Sequence, residues 1–295
     1  MSLLEAVPNF SEGRRSEVIG RLTAAADVPG VRLLDVHSDP DHNRTVLTLA
    51  GEAEPLSDAL FHTIAVAVAE IDLRHHNGVH PRIGAADVVP FVPVLDTPMG
   101  DAVAAAHALA NRVASELRLP VYLYDAAARR PEYIRLENIR RGGFETLRDA
   151  IATRPPDLGP AQVHPSAGAV VIGARQPLIA YNIYLDTDDL AVGRAIARRV
   201  RASSGGLPAV KALALLIPRR GQVQISMNLT NFHETSIPTV FEVVREEAAA
   251  RGTRIVASEF VGLVPLDALL NVVNAALAGD LTLQSVLDLR LLDGG

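Results

Sequence analysis

The sequence predicts an α+β chain of two ferredoxin-like βαββαβ subdomains. Three observations predict it. Segments with strand and helix character follow one another as strand, helix, strand, strand, helix, strand; the same order returns after residue 178; and a stretch with four prolines and two glycines, PPDLGPAQVHPSAG at 155–168, separates the two runs. At 295 residues, and roughly 100 to 200 residues per domain, two domains fit the length. The expected division is 1–166 and 167–295.

Each element has its own reason. Residues 3–7 are apolar enough for a short strand, and 9–13 carry turn chemistry in which Ser11 is placed to cap a helix running to about residue 26. Residues 31–36 form a second strand, 37–43 (HSDPDHN) a polar turn, and 45–50 a third strand. A helix over 56–71 opens after Pro55, and 87–94 supplies the fourth strand. A helix at 99–117 and a strand at 121–124 extend the unit, followed by a basic irregular segment at 129–141. In the second half, 178–185 reads as strand, 190–201 as helix, 210–217 and 223–229 as strands, 239–251 as helix and 254–260 as strand. A last helix over 266–277 follows Pro265.

Two four-stranded antiparallel sheets, each with helices on one face, account for both orders. Each sheet then has one bare face, and placing those faces together encloses a substrate groove or tunnel. Strand side chains alternate, so Gln222, Gln224, Ser226 and Asn228 fall on one polar face.

Composition narrows the function. The chain is 48% hydrophobic and 21% charged, with only 4% aromatic residues and no Trp, so Ala, Val and Leu must make the core. A formal net charge of −6 argues against general nucleic-acid binding, which needs a basic excess. Without cysteine there is no disulfide, thiolate nucleophile or iron–sulfur ligand. The first residues lack a basic start and a long apolar core, and no apolar run of about 18 residues occurs, so a cytoplasmic chain without membrane contact is expected. SSGGLPAVK at 203–211 lacks the GxxxxGK(S/T) spacing and follows a helix, which argues against a nucleotide site.

The stretch RHHNGVHPRIGAADVVPFVPV at 74–94 concentrates the chemistry. Gly78 and Pro81 bracket His80 and forbid a helix there, so His80 and Arg82 sit on a bent loop at the entrance of a strand. A histidine beside an arginine is a candidate acid and base facing an anion, the alternative being a turn-stabilising residue. His37, His42, His75, His76 and His80 match no familiar zinc spacing such as HExxH, so no metal is expected.

GVHPRIGAADVVPFVPV at 78–94 resembles the signature of the glutamate formimidoyltransferase family. AVPNFSEGR at 6–14, LLDVHSDPDHNRTV at 33–46, VYLYDAAA at 121–128, the block 159–182 and SEFVGLVPLDALL at 258–270 resemble the same family in the same order. The resemblance implies transfer of a formimidoyl group between N-formimidoyl-L-glutamate and N5 of tetrahydrofolate, a co-substrate, by a cytoplasmic homodimer. It implies that His80 is the catalytic acid and base, and that His37, Asn43, Arg44 and Arg82 contact the substrate. It also implies that Gly159, Pro160, Ala161, Gln162, Val163, His164, Pro165, Ser166, Ala167 and Gly168 contact folate, where the plain alternative is an interdomain linker. Two departures stand out: Val79 where the family commonly has Glu, and His37 where mammalian members have Asp. They leave a folate-binding module without transfer as one alternative, and a clustering of His37, His42, His75, His76 and His80 would leave a metal hydrolase as another.

Overall fold

The computed structural model describes residues 2–292. They form two compact units that divide after Pro177, not after residue 166. The reason is a strand absent from the sequence reading, at Val170–Ala174, which pairs in parallel with two strands of the first unit.

The first unit runs β1 (Leu3–Ala6), β2 (Asn9–Phe10), α1 (Ser16–Ala25), β3 (Val31–Asp39), β4 (Arg44–Glu52), α2 (Ala53–Glu70), β5 (Ala86–Pro93), α3 (Met99–Glu116), β6 (Val121–Asp125), α4 (Leu136–Arg140), α5 (Gly143–Ala150) and β7 (Val170–Ala174). β1 and β2 are successive pieces of one line between β4 and β5, and β3 lies outside β4. These strands make the expected antiparallel βαββαβ sheet. Beyond β5 it continues with β7 and then β6, both parallel, so the unit is wider than four strands.

Burial explains the extension. Val89, Phe91, Leu123 and Ile172 enter one core with Leu60, Ile64 and Leu109 of the helices, while Val88, Tyr122, Tyr124 and Val171 enter a second core with Tyr133, Ile139 and Leu147. Strands covered on both faces read as continuous apolar runs, as VVPFV and AVVIGA do. The segment expected to be irregular, 129–141, includes α4, and α5 follows it; Ile139 and Leu147 turn these short helices onto the second core.

Ser11 does not cap α1. Its backbone N–H bonds the Ala85 carbonyl at 2.8 Å and its Oγ donates to the Gly84 carbonyl at 2.7 Å, so it joins β2 to the loop before β5. The α1 N-terminus has no side-chain cap; the Glu12 carboxylate instead orders the approach to it, accepting from the backbone N–H of Arg14 at 2.8 Å and of Arg15 at 2.9 Å. The turn expected at 37–43 is shorter, because His37 and Ser38 still pair with Val46 and Thr45 across β3 and β4.

The second unit runs β8 (Ile179–Leu185), α6 (Leu190–Val200), β9 (Val210–Ile217), β10 (Gln222–Leu229), α7 (Ile237–Ala249), β11 (Ile255–Val261), α8 (Leu266–Leu277) and α9 (Leu287–Leu292). Its sheet is antiparallel, in the order β11-β8-β10-β9. Asp189 caps α6 by accepting from Ala191 N–H, and Ser236 caps α7 by accepting from Thr239 N–H. Tyr181, Ile183, Val223 and Ile225 meet Ile196, Val240 and Val244 in its core. The alternate residues Gln222, Gln224, Ser226 and Asn228 take the other face, where Gln224 Nε2 donates to the Tyr184 hydroxyl at 2.7 Å and that hydroxyl donates to Glu259 at 2.5 Å. Among the described residues, no helix is long and apolar enough to cross a membrane.

Candidate active site

A small cleft opens in the first unit where β2, the β3–β4 turn and the loop before β5 meet. Its walls include Ser11, His42, Asn43, Arg44, His76, His80, Arg82 and Asp87.

The turn is built by its own side chains. Asp39 Oδ1 accepts from the N–H groups of Asp41 at 2.8 Å and His42 at 2.9 Å, the local bonding that makes Asp a turn former. Asn43 stands at φ 49°, a left-handed conformation that Asn tolerates better than most residues. Its amide oxygen accepts from Gly13 N–H at 2.9 Å and its amide nitrogen donates to the Asn77 carbonyl at 3.0 Å, so one side chain fastens three segments. Gly78 lets the last of them approach: a Cβ there would lie 2.3 Å from the His42 carbonyl oxygen.

Arg44, the first residue of β4, then reaches His80 with Nη1 3.0 Å from Nε2. A guanidinium only donates, so His80 Nε2 is an unprotonated acceptor and its proton sits on Nδ1. The Pro81 carbonyl hydrogen-bonds the ring as well. Burial first, then the charges of Arg44 and Arg140 and the imidazole of His42, push the His80 imidazole well below the usual histidine value. The residue as a whole is half-buried in the cleft wall.

Arg82 is held on the other side. Its Nε donates to His76 Nδ1 at 2.8 Å, and its Nη2 donates to Glu145 at 2.9 Å. Only 14% of the Arg82 side chain is exposed, against 63% for Glu145. Asp87 is 3% exposed; it accepts from Ile83 N–H at 2.8 Å and from Arg140 Nη2, which ties α4 to the start of β5. Several cations thus surround one neutral base, an arrangement suited to an anionic ligand undergoing proton transfer.

Two family models match this chain. The formiminotransferase domain, N-terminal subdomain, matches residues 3–175, and the formiminotransferase domain matches residues 180–279. The chain belongs to the formiminotransferase family. It is 49% identical over 277 residues to the glutamate formimidoyltransferase of Thermoplasma acidophilum, covering 92% of this chain and 91% of that one. It is 40% identical over 273 residues to the enzyme of the same name from Streptococcus pyogenes serotype M1, with coverage of 92% and 91%. Against the formimidoyltransferase-cyclodeaminase of Mus musculus it is 41% identical over 277 residues, covering 91% of this chain and 51% of that protein.

Within this formiminotransferase chain, His80, Asn43, Arg44 and Arg82 meet at one cleft. His37 lies on β3 opposite Val46, outside the cleft lining. The segment from Gly159 to Gly168 packs its end against the same loop: Leu73 N–H donates to the Ser166 carbonyl at 2.8 Å, Ala85 N–H to the Ala167 carbonyl at 2.9 Å and Ala169 N–H to the Ile83 carbonyl at 3.0 Å. Gly168 is at φ 72° and a Cβ there would meet the Ile83 carbonyl oxygen at 2.1 Å, so this closeness requires glycine. His164 closes the segment on itself by accepting from Ala167 N–H at 3.0 Å, and Gly159, Ala161, Gln162 and Pro165 are exposed.

Ser11, His42, His76 and Asp87 also line the cleft, with Arg140 behind Asp87, and none of these placements is expected from the sequence. Asp87 carries a visible signal, a lone carboxylate in an apolar strand. Arg140 carries none, since nothing in a basic segment separates the one arginine that turns inward from its neighbours.

Proposed function

We propose that this chain is a glutamate formimidoyltransferase, exchanging the formimidoyl group between N-formimidoyl-L-glutamate and N5 of tetrahydrofolate, with His80 as general acid and base. The observation that carries the reading is His80 Nε2 held 3.0 Å from Arg44 Nη1 in a cleft shared with Arg82. Attack of N5 on the amidine carbon forms a C–N bond and leaves N5 with a proton to lose, which Nε2 accepts. The tetrahedral carbon then breaks its bond to the glutamate nitrogen, and Nε2 returns the proton to that departing amine. One imidazole therefore serves both halves, and the reverse reaction uses the same steps.

Glutamate brings two carboxylates, which guanidinium groups bind in a two-pronged way. Arg44 and Arg82 are the proposed partners, with Asn43 shaping the Arg44 turn and His37 near the end of β3. A carboxylate that engages Arg44 draws the guanidinium away from Nε2 and sets a negative charge beside the ring. The base is thereby released and strengthened by the substrate itself. Contact of the Gly159 to Gly168 segment with tetrahydrofolate is supported by its exposed residues and its bonds to the His80 loop. A cytoplasmic homodimer is the accompanying proposal, drawn from the resemblance.

The test is a transfer assay with purified protein, N-formimidoyl-L-glutamate and tetrahydrofolate, reading the 5-formimidoyl adduct by mass spectrometry beside His80→Ala. Adduct from wild type alone is expected. Folate binding with no adduct from either protein would sink the transferase reading in favour of the binding module. The metal hydrolase finds no donor set: among the described residues, no three His, Asp or Glu side chains gather so as to hold an ion.

A further inference from the structure

His76 touches both walls of the cleft. Its Nδ1 accepts from Arg82 Nε at 2.8 Å, and its Nε2 stands 3.0 Å from the carbonyl oxygen of Asn43, the residue before Arg44. Arg82 only donates and the carbonyl only accepts. The ring is therefore the neutral Nε2–H tautomer, with both nitrogens committed.

Protonation has one place to go. It would set an N–H on Nδ1 directly against the Arg82 Nε–H, turning a 2.8 Å hydrogen bond into a donor–donor clash between two cations. Arg82 also bonds the His76 carbonyl at 3.3 Å, and Glu145 of α5 holds its far end, so losing the imidazole would leave the guanidinium leaning toward the exposed Glu145. On the other side, the Asn43 carbonyl would keep its bond while the ring moved with it, disturbing the left-handed turn that launches Arg44.

We infer that His76 is a positioning residue: while neutral it braces Arg82 and the Asn43–Arg44 turn in the carboxylate-binding arrangement, and its protonation loosens both arms. The inference rests on the reading that these arginines take the substrate's carboxylates. The groups facing the ring are Arg82 from the loop, Glu12 and Arg14 from the segment before α1, the Asn43 carbonyl from the turn, and Glu145 of α5. Burial, Arg82 and Arg14 oppose the charged ring, while the Asn43 carbonyl and Glu12 favour it; burial leads and the neutral form is preferred. The effect accordingly belongs to mildly acid solution, and neutral solution keeps the brace.

His76→Asn keeps an acceptor near the Nδ1 position without a titratable ring, and His76→Ala removes it. The assay reads KM for N-formimidoyl-L-glutamate and kcat from pH 5 to 8. For His76→Ala we expect KM to rise about tenfold or more at neutral pH, as for loss of a charge-assisted hydrogen bond, with kcat within about threefold. For His76→Asn we expect a KM closer to wild type at neutral pH, and loss of the acid-side rise in KM that wild type shows. An unchanged KM in His76→Ala, a fall in kcat alone, or the wild-type acid rise persisting in His76→Asn would each overturn the inference. An independent readout is the ¹⁵N NMR pattern of the His76 ring, assigned by its loss in His76→Asn. The Nε2–H tautomer is expected at neutral pH, and the Nδ1–H tautomer would refute the brace whatever the substrate proves to be. Failure of transfer in wild type with the Nε2–H pattern present would count against the transferase reading instead. In that case calorimetric binding of N-formimidoyl-L-glutamate across the same pH range takes the place of KM and decides the brace by the same comparison.

Discussion

Arg44 Nη1 and His80 Nε2 lie 3.0 Å apart, so the side chain proposed to bind the substrate also occupies the lone pair proposed to do the chemistry. The pairing makes a pH signature. Neutral His80 is the working base, and burial with the Arg44 charge lowers its proton affinity, so the acid limb of kcat/KM should fall below the ordinary histidine value of 6.5. In the substrate complex a carboxylate offsets Arg44, so the acid limb of kcat should sit at higher pH than that of kcat/KM. Arg44→Met removes one lowering cause and should shift the kcat/KM limb upward while raising KM. Coincident limbs in wild type and variant would refute the coupling.

Asp87 and Arg140 form the tie between β5 and α4, and both are largely covered. Removing one partner of a covered pair leaves the other charge poorly solvated, so Asp87→Asn should cost about 2 to 4 kcal/mol in urea unfolding. Replacing both, Asp87→Asn with Arg140→Met, should cost clearly less than the sum of the singles. Additive losses in the double-mutant cycle would show that the two side chains act separately.

Gly78 and Gly20 make opposite forecasts for the same substitution. A Cβ at Gly78 would stand 2.3 Å from the His42 backbone oxygen and 2.9 Å from Asn43 Cβ, so Gly78→Ala must push the His80 loop away from the turn carrying Arg44. Displacement of about 1 Å at a reacting group costs on the order of a hundredfold in rate, which is the loss expected in kcat/KM. Gly20 lies in α1 with nothing within 4 Å of its added Cβ, and Gly20→Ala should stabilise by about 0.5 to 1 kcal/mol without changing rate.

How far the sequence discloses such features depends on the range of the interaction. The second unit follows its periodicity closely, because alternation along β8 and β10 reports one sheet with one helical layer. In the first unit Val170–Ala174 is short and apolar and lies just after a proline-rich stretch, and only its pairing with Val88–Phe91 and Val121–Asp125 makes it a strand. Ser11 shows the same limit. It has the chemistry of a cap, yet its hydroxyl bonds Gly84, 73 residues away, and α1 starts without a side-chain cap. His80, Arg44 and Arg82 stand out through motif chemistry, whereas the roles of His76 and Arg140 depend on which long side chain turns toward which neighbour.

Acid should destabilise the chain in two stages whose order follows from the sign of each shift. His80, His76 and His164 all have lowered proton affinity in the folded chain, chiefly through burial, so below the ordinary value of 6.5 the unfolded chain binds more protons than the folded one. Stability they confer is complete above that pH and drains away as pH falls toward the depressed folded values. Glu12 adds a second window: burial alone would raise its carboxyl, but bonds from the Arg15 and Arg14 N–H groups and the Arg15 guanidinium outweigh burial and hold it below 4.5. Its contribution is intact above 4.5 and is lost as pH falls through the depressed value. Urea midpoints should therefore begin to drop as pH falls below 6.5 and drop further once it falls below 4.5. Each histidine fully in its window adds up to about 1.4 kcal/mol per pH unit to the slope. His80→Gln removes one titrating group and should flatten the first stage by up to that amount while leaving the second unchanged. A wild-type midpoint that stays level from pH 7 to 5 would contradict the buried, neutral state of these rings.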